Sequence, residues 1–177
     1  MRTIIIYSSQ TGFTERDAKW LAEELQANTL TIAEAQKKPE SFFDDYETII
    51  YGGYAMAGTI HKVKWFQEHI DKWKGKKLAA YCVGGSPMEN PEVEKALNSH
   101  FGEAKLARVQ LFYCPGGFNY EKMNLPSKAA MKMFVKMLKN KKDKTEEEKK
   151  MVEMVGQSYD ISDKKYIEPI LEYLKNA

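Results

Sequence analysis

The sequence contains too little cysteine for a disulfide framework or for a zinc site built from thiolates. Its two cysteines, Cys82 and Cys114, form no Cys-x-x-Cys pair. We therefore expect two buried thiols. The three histidines show no metal-ligand spacing, and no Ser-His-Asp order or paired carboxylate motif stands out. The sequence predicts no metal site and assigns no catalytic residue, so any difficult chemistry falls to a bound cofactor.

Long apolar runs are also absent. No stretch reaches the roughly 18 apolar residues of a membrane-spanning helix, and the N-terminal run Ile4–Ile6 is too short for the core of a signal peptide. The default expectation is a cytoplasmic protein. The chain has 177 residues, of which 43% are hydrophobic and 29% charged. These values are ordinary for a globular chain and predict one domain over residues 1–177.

Five short runs rich in apolar and β-branched residues are present instead. They are Thr3–Ser8, Thr29–Ala33, Thr48–Gly53, Lys77–Val83 and Ala107–Tyr113. Helical patterns separate them, most clearly at 14–26, 61–73 and 90–100. This alternation predicts an α/β fold, a doubly wound five-stranded parallel sheet with helices on both faces. In such sheets the ligand lies beyond the carboxyl ends of the strands, so the loops after the strands are the places to search.

The loop after the first strand has the composition of an anion site. It consists of Ser9, Gln10, Thr11, Gly12, Phe13 and Thr14. A helix follows at once, so its free amides and its dipole favour a negative charge there. The loop has no lysine and does not match the nucleotide-triphosphate loop, which favours a monophosphate held by neutral donors. A plain hydroxyl cap without a ligand is the alternative that the loop alone leaves open.

The segment from Ile5 to Leu21 resembles the flavodoxin family signature at every constrained position. Those positions are Ile5, Ile6, Tyr7, Ser9, Gly12, Thr14, Ala18 and Leu21. The resemblance implies a flavodoxin-like sheet of strand order 2-1-3-4-5. It also implies non-covalent FMN, with the flavin phosphate in the loop 9–14.

The same resemblance implies that two further loops line the flavin ring. After the third strand these residues are Tyr54, Ala55, Met56, Ala57 and Gly58, and after the fourth they are Val83, Gly84 and Gly85. In flavodoxin-like proteins a peptide of the first of these loops tunes the flavin N5 through a hydrogen bond. The fourth-strand loop lacks the Trp or Tyr that many flavodoxins stack on the ring.

A long segment after the fifth strand exceeds a minimal flavodoxin, and we expect a basic helical insert over 115–158. Eight lysines against one acid, Asp143, lie between 122 and 144. The helical pattern at 126–142 fits three alternatives. The helix could make a peripheral contact with an anionic membrane. It could instead dock an acidic redox partner or cover the flavin, or its apolar face could pack on the domain while the lysines face solvent. Nucleic acid is not an expected partner, because arginine and interleaved aromatics are lacking.

The order of this region resembles the branch that contains the quinone-dependent protoporphyrinogen oxidases. The corresponding segments are 116–120 and 159–163. The leading expectation is an FMN-binding electron-transfer protein or oxidoreductase whose partner is a redox protein or a quinone. The alternatives are a quinone-dependent protoporphyrinogen oxidase and, from another class, a flavin-free flavodoxin-fold module that binds a partner.

Overall fold

A computed structural model describes residues 2–56, 58–88, 93, 97–99, 101 and 103–176. In chain order its elements are β1 (Thr3–Ser8), α1 (Phe13–Leu25), β2 (Asn28–Thr31), α2 (Ile32–Ala35), a 3-10 turn (Glu40–Phe43), β3 (Thr48–Met56), β4 (Thr59–Ile60), α3 (Val63–His69), β5 (Lys77–Gly84), α4 (Glu103–Leu106), β6 (Gln110–Pro115), β7 (Gly117–Phe118), α5 (Leu125–Asn140), α6 (Glu146–Met154), β8 (Tyr159–Asp160), a second 3-10 turn (Lys164–Ile167) and α7 (Glu168–Lys175).

Five strands form one parallel sheet in the order β2-β1-β3-β5-β6. Counted among the parallel strands alone, this is the predicted order 2-1-3-4-5, and the predicted fold class is confirmed. The short strand β4 only extends β3 as an antiparallel hairpin, and β7 pairs with β8 in a separate two-stranded ribbon.

Both faces of the sheet are covered, which explains why its central strands are apolar at nearly every position. Helices α1 and α7 pack on one face, where Ile5, Ile50 and Leu171 share a core. The other face carries α2 and α3 and an aromatic cluster that includes Phe43 and Trp73. Among the described residues, no helix is long and apolar enough to cross a membrane.

Several boundaries differ from the predictions for local reasons. Strand β2 ends at Thr31 rather than at Ala33, because Thr31 and Glu34 form a reciprocal capping box that begins α2. Helix α3 begins only at Val63, after Lys62 adopts a left-handed conformation with φ of 57°. Strand β6 begins at Gln110, three residues later than expected. The helix predicted over 90–100 falls largely outside the described residues, including Asn90, Pro91 and His100.

The segment after β6 contains helices α5 and α6, but its first residues form strands. Pro115 still belongs to β6, and β7 follows immediately. Helix α5 begins behind the cap Asn124, whose side chain accepts a hydrogen bond from the Ser127 amide at 2.9 Å, and Pro126 stands in its first turn. Strand β8 then returns to pair with β7, so the two ends of this segment are adjacent.

Candidate functional site

The ends of β1, β3 and β5 bring the predicted site residues to one edge of the sheet. Ser8 is in register with Gly53, and Tyr54 with Val83. The loop 9–14, the end of β3 and the residues after β5 therefore lie side by side. This is the arrangement that the parallel sheet predicted.

The loop 9–14 leads into α1 through Gly12, which caps the helix with φ of 100°. This left-handed conformation favours glycine, and a Cβ on Gly12 would meet no atom within 4 Å. The Gly12 amide donates to Ser9 Oγ at 3.2 Å, which tightens the turn. Within the described part of the chain, no side chain makes a capping hydrogen bond to α1. The hydroxyl groups of this loop therefore make no capping hydrogen bond to the helix amides that follow Gly12.

Thr14 is the most informative residue of the loop. It lies in the first turn of α1 and is only 1% exposed, yet its Oγ1 has no hydrogen-bond partner in the part of the chain that the structure describes. Leaving a buried hydroxyl unpaired costs about 1–3 kcal/mol. A ligand oxygen at the helix N-terminus would satisfy this hydroxyl together with the first-turn amides.

A second wall comes from β3, where we expected a loop. Tyr54, Ala55 and Met56 belong to the strand, and Ala55 pairs with Ile60 across the hairpin. Gly58 forms the turn with φ of 80°. Ala57 lies outside the described residues.

His61 joins this hairpin to the end of β1, directly before the loop 9–14, a role that the sequence did not reveal. Its Nδ1 lies 2.6 Å from Ser8 Oγ, and its ring stacks on Tyr54 with centroids 4.4 Å apart. Its carbonyl accepts a hydrogen bond from the Tyr51 hydroxyl at 2.6 Å. Burial, and to a lesser extent the Lys62 charge, lower the pKa of His61, so the neutral imidazole is favoured near neutral pH. The glycine at position 58 could have predicted a hairpin turn, and such a turn brings His61 back beside the end of the third strand.

The third wall is the end of β5. Val83 and Gly84 belong to the strand and Gly85 to the loop that follows. The Gly116 amide donates to the Gly84 carbonyl at 2.8 Å, which ties the start of the C-terminal segment to this edge.

The ribbon β7/β8 places aromatic rings against Gly85. A Cβ on Gly85 would lie 2.3 Å from the Phe118 ring and 2.7 Å from the Tyr159 hydroxyl. That hydroxyl donates to the Gly85 carbonyl at 2.6 Å. Phe118 and Tyr159 pack edge to face with centroids 5.4 Å apart, and Tyr120 stacks behind Phe118 at 6.3 Å. The C-terminal segment thus places aromatic side chains beside the loop after β5.

A cleft of about 370 Å³ runs between the loop 9–14 and this ribbon. Its lining includes Thr11, Gly12, Phe13, Phe118 and Tyr159. Arg16 closes one side, because its guanidinium binds both carboxylate oxygens of Asp160 at 2.9 Å. The same guanidinium also donates to the Ser162 hydroxyl. The ribbon is therefore anchored to α1 beside the loop.

One further group below the loop is unusual. Asp17 is 2% exposed, and its Oδ2 has no hydrogen-bond partner within the described residues. Burial raises the pKa of Asp17 to about 7, an effect that the Arg16 charge partly offsets and the Asp160 charge reinforces. The structure thus holds a carboxyl group that is partly protonated at neutral pH.

Comparison with known proteins agrees with this geometry. A family model described as a flavodoxin domain matches residues 4–145. No curated protein sequence matches the chain.

Among solved structures, a flavoprotein in complex with FMN from Lactobacillus acidophilus is similar at 14% identity and a TM-score of 0.46, over 64% of this chain and 91% of that one. A flavodoxin, WrbA-like protein from Agrobacterium tumefaciens is similar at 15% identity and a TM-score of 0.46, over 88% of this chain and 95% of that one. Flavodoxin 1 from Bacillus cereus is similar at 16% identity and a TM-score of 0.37, over 80% of this chain and 99% of that one. These TM-scores are low, so the family model alone carries the assignment.

Proposed function

Since the chain belongs to the flavodoxin domain family, we propose that it binds FMN non-covalently and transfers electrons between a donor and a redox protein or a quinone. The single observation that carries this proposal is the buried hydroxyl of Thr14 at the N-terminus of α1, which has no partner among the residues that the structure describes. A phosphate oxygen is the acceptor that would satisfy it. The bound flavin would supply one- and two-electron chemistry, and the protein would supply binding and orientation.

The residues of the loop 9–14 would hold the phosphate. Thr14 and Thr11 would donate hydroxyl protons, and the free amides of the first turn of α1 would donate theirs. Gly12 lets the backbone approach the ligand closely, because nothing occupies the space where its Cβ would stand. These donors are neutral, so the dipole of α1 supplies the favourable field for the anion.

The two other walls would orient the ring. Tyr54 and Met56 stand on the β3 hairpin, with Gly58 at its turn, and Gly84 and Gly85 end β5 on the opposite side. Gly58 lets the peptide of the β3 hairpin turn, and the missing Cβ of Gly85 lets the Phe118 ring and the Tyr159 hydroxyl approach the end of β5. The ribbon with Phe118 and Tyr159 would exclude water from the side that the loop after β5 leaves without an aromatic residue.

A quinone-dependent protoporphyrinogen oxidase is the second candidate, and one observation favours it. The two segments that resemble this branch are far apart in the sequence, yet the structure pairs Gly117 with Asp160 in the ribbon. They form a common surface beside the cleft.

The test is a calorimetric titration of the purified protein with FMN. The absorbance of the flavin that stays bound after desalting is a second measurement. Thr11→Val and Thr14→Val should each weaken binding by about 1.5–3 kcal/mol, the contribution of a hydrogen bond to a charged group. Thr29→Val is the matched control, since Thr29 is exposed on β2 at the far edge of the sheet. Its affinity for FMN should equal that of the wild type.

The variant Thr14→Val separates a ligand role from a structural one. Without FMN it should be as stable as the wild type or more stable, because it removes an unpaired buried hydroxyl. With FMN it should gain less stability than the wild type. Unchanged affinity in both variants would refute the assigned role of the loop. A wild-type protein that stays colourless would favour the flavin-free partner-binding module. Anaerobic reduction followed by exposure to quinones or protoporphyrinogen would then distinguish a carrier from an oxidase.

A further inference from the structure

Helix α5 exposes large apolar side chains that the fold does not use. Leu125 is 81% exposed, Met133 73% and Met137 61%. Their spacing of eight and four residues places them on the same side of the helix. We call these three side chains the apolar ridge. Helix α5 buries its opposite side instead, where Leu138 is in the interior.

A row of lysines runs beside the apolar ridge. Lys128, Lys132, Lys136 and Lys139 follow one another at helical spacing and form what we call the lysine stripe. The sequence contains no Asp or Glu from 122 to 142 that could neutralise it. Three of these lysines also line a cleft of about 570 Å³, together with apolar Val135 and Val155 and a single acid, Glu121.

We propose that the apolar ridge and the lysine stripe bind the surface of an anionic lipid bilayer. An amphipathic helix with lysines along one flank and exposed apolar side chains beside them binds a membrane interface by both effects at once. The apolar side chains enter the boundary of the acyl chains, while the ammonium groups remain at the level of the phosphates.

The shape of the face favours a bilayer over an acidic protein. The apolar side chains protrude from the helix by most of their surface rather than lining a groove. A protruding ridge can enter a fluid interface without a complementary partner, whereas a protein partner would need a matching depression. With 16 residues, α5 is about 24 Å long and can lie flat along the interface. The inference does not depend on the proposed cofactor.

The test is co-sedimentation of the full chain with vesicles of phosphatidylcholine alone and of equimolar phosphatidylcholine and phosphatidylglycerol. We expect binding to the anionic vesicles only, and weaker binding as the salt concentration rises. The triple variant Lys132→Gln, Lys136→Gln, Lys139→Gln should partition on the order of a hundredfold less, since each lysine near such a surface contributes about a fivefold effect.

Two further variants make the test specific to this face. Met133→Ser with Met137→Ser keeps every charge and should weaken partitioning roughly tenfold through the lost apolar contact. Lys37→Gln with Lys74→Gln removes exposed lysines elsewhere and should bind like the wild type. Circular dichroism confirms that each variant is folded.

Three outcomes would overturn the proposal. The first is a wild type that does not sediment with anionic vesicles. The second is a methionine variant that binds as well as the wild type. The third is a Lys37 and Lys74 control that loses as much affinity per charge as the variant of the lysine stripe. Retention on immobilised polyglutamate without vesicle binding would assign the face to an acidic protein instead.

Discussion

The buried carboxyl group of Asp17 makes the stability of the protein depend on pH in a way that one substitution should remove. Asp17 lies in α1, its Oδ2 has no hydrogen-bond partner in the described ranges, and burial raises its pKa from 3.8 to about 7. The folded protein therefore holds a proton on Asp17 that the unfolded chain releases between about pH 4 and pH 7. The protonated group therefore stabilises the fold fully below the pKa that Asp17 has in the unfolded chain. This stabilisation is lost as the pH rises through the pKa that Asp17 has in the folded protein.

The size of the effect follows from the two pKa values. Each pKa unit is worth about 1.4 kcal/mol, so ionised Asp17 destabilises the fold by about 4 kcal/mol relative to its protonated form. Asp17→Asn keeps the shape and stays neutral. We expect the variant to match the wild type near pH 4 and to exceed its free energy of unfolding by up to about 4 kcal/mol near pH 8.

The assay is urea unfolding followed by circular dichroism, repeated from about pH 4 to about pH 8. Asp71→Asn serves as the control, because Asp71 is exposed beyond α3 and its replacement should leave the pH profile unchanged. Parallel profiles for the wild type and Asp17→Asn would refute the reasoning. So would a variant that is less stable than the wild type near pH 8.

Two further substitutions test the contacts that build the site. Ser8→Ala removes the partner of His61 Nδ1 and should lower the free energy of unfolding by about 1 kcal/mol in urea titrations; an unchanged midpoint would contradict that hydrogen bond. Gly85→Ala places a Cβ 2.3 Å from the Phe118 ring and should cost about 1–3 kcal/mol through overpacking. Near-ultraviolet dichroism should change as the aromatic side chains shift, and an unaltered spectrum with full stability would mean that the ring does not pack there.

The sheet and the loop 9–14 could be read from local sequence. Runs such as Ile4–Ile6 are apolar at every position because helices cover both faces of the sheet, and that pattern identifies a parallel strand without tertiary information. The glycine and the hydroxyl groups before α1 likewise indicate the start of a helix, which the structure places at Phe13.

Other parts of the site depend on contacts between distant residues. Nothing near Tyr159 indicates that its hydroxyl will bind the Gly85 carbonyl, 74 positions away. His61 likewise acquires its role only when β4 folds back on β3 and brings its ring beside Ser8. The orphaned hydroxyl of Thr14 could not be predicted either, since burial depends on what the rest of the chain places above α1.

The pairing of β7 with β8 has a consequence for how this chain tolerates change. Phe118 and Tyr159 are neighbours across an antiparallel ladder, so the 40 residues between them leave and rejoin the domain at nearly one point. Closing a loop becomes only slightly less favourable as it lengthens. This excursion can therefore be lengthened, shortened or exchanged for another module while the ends of β1, β3 and β5 keep their places.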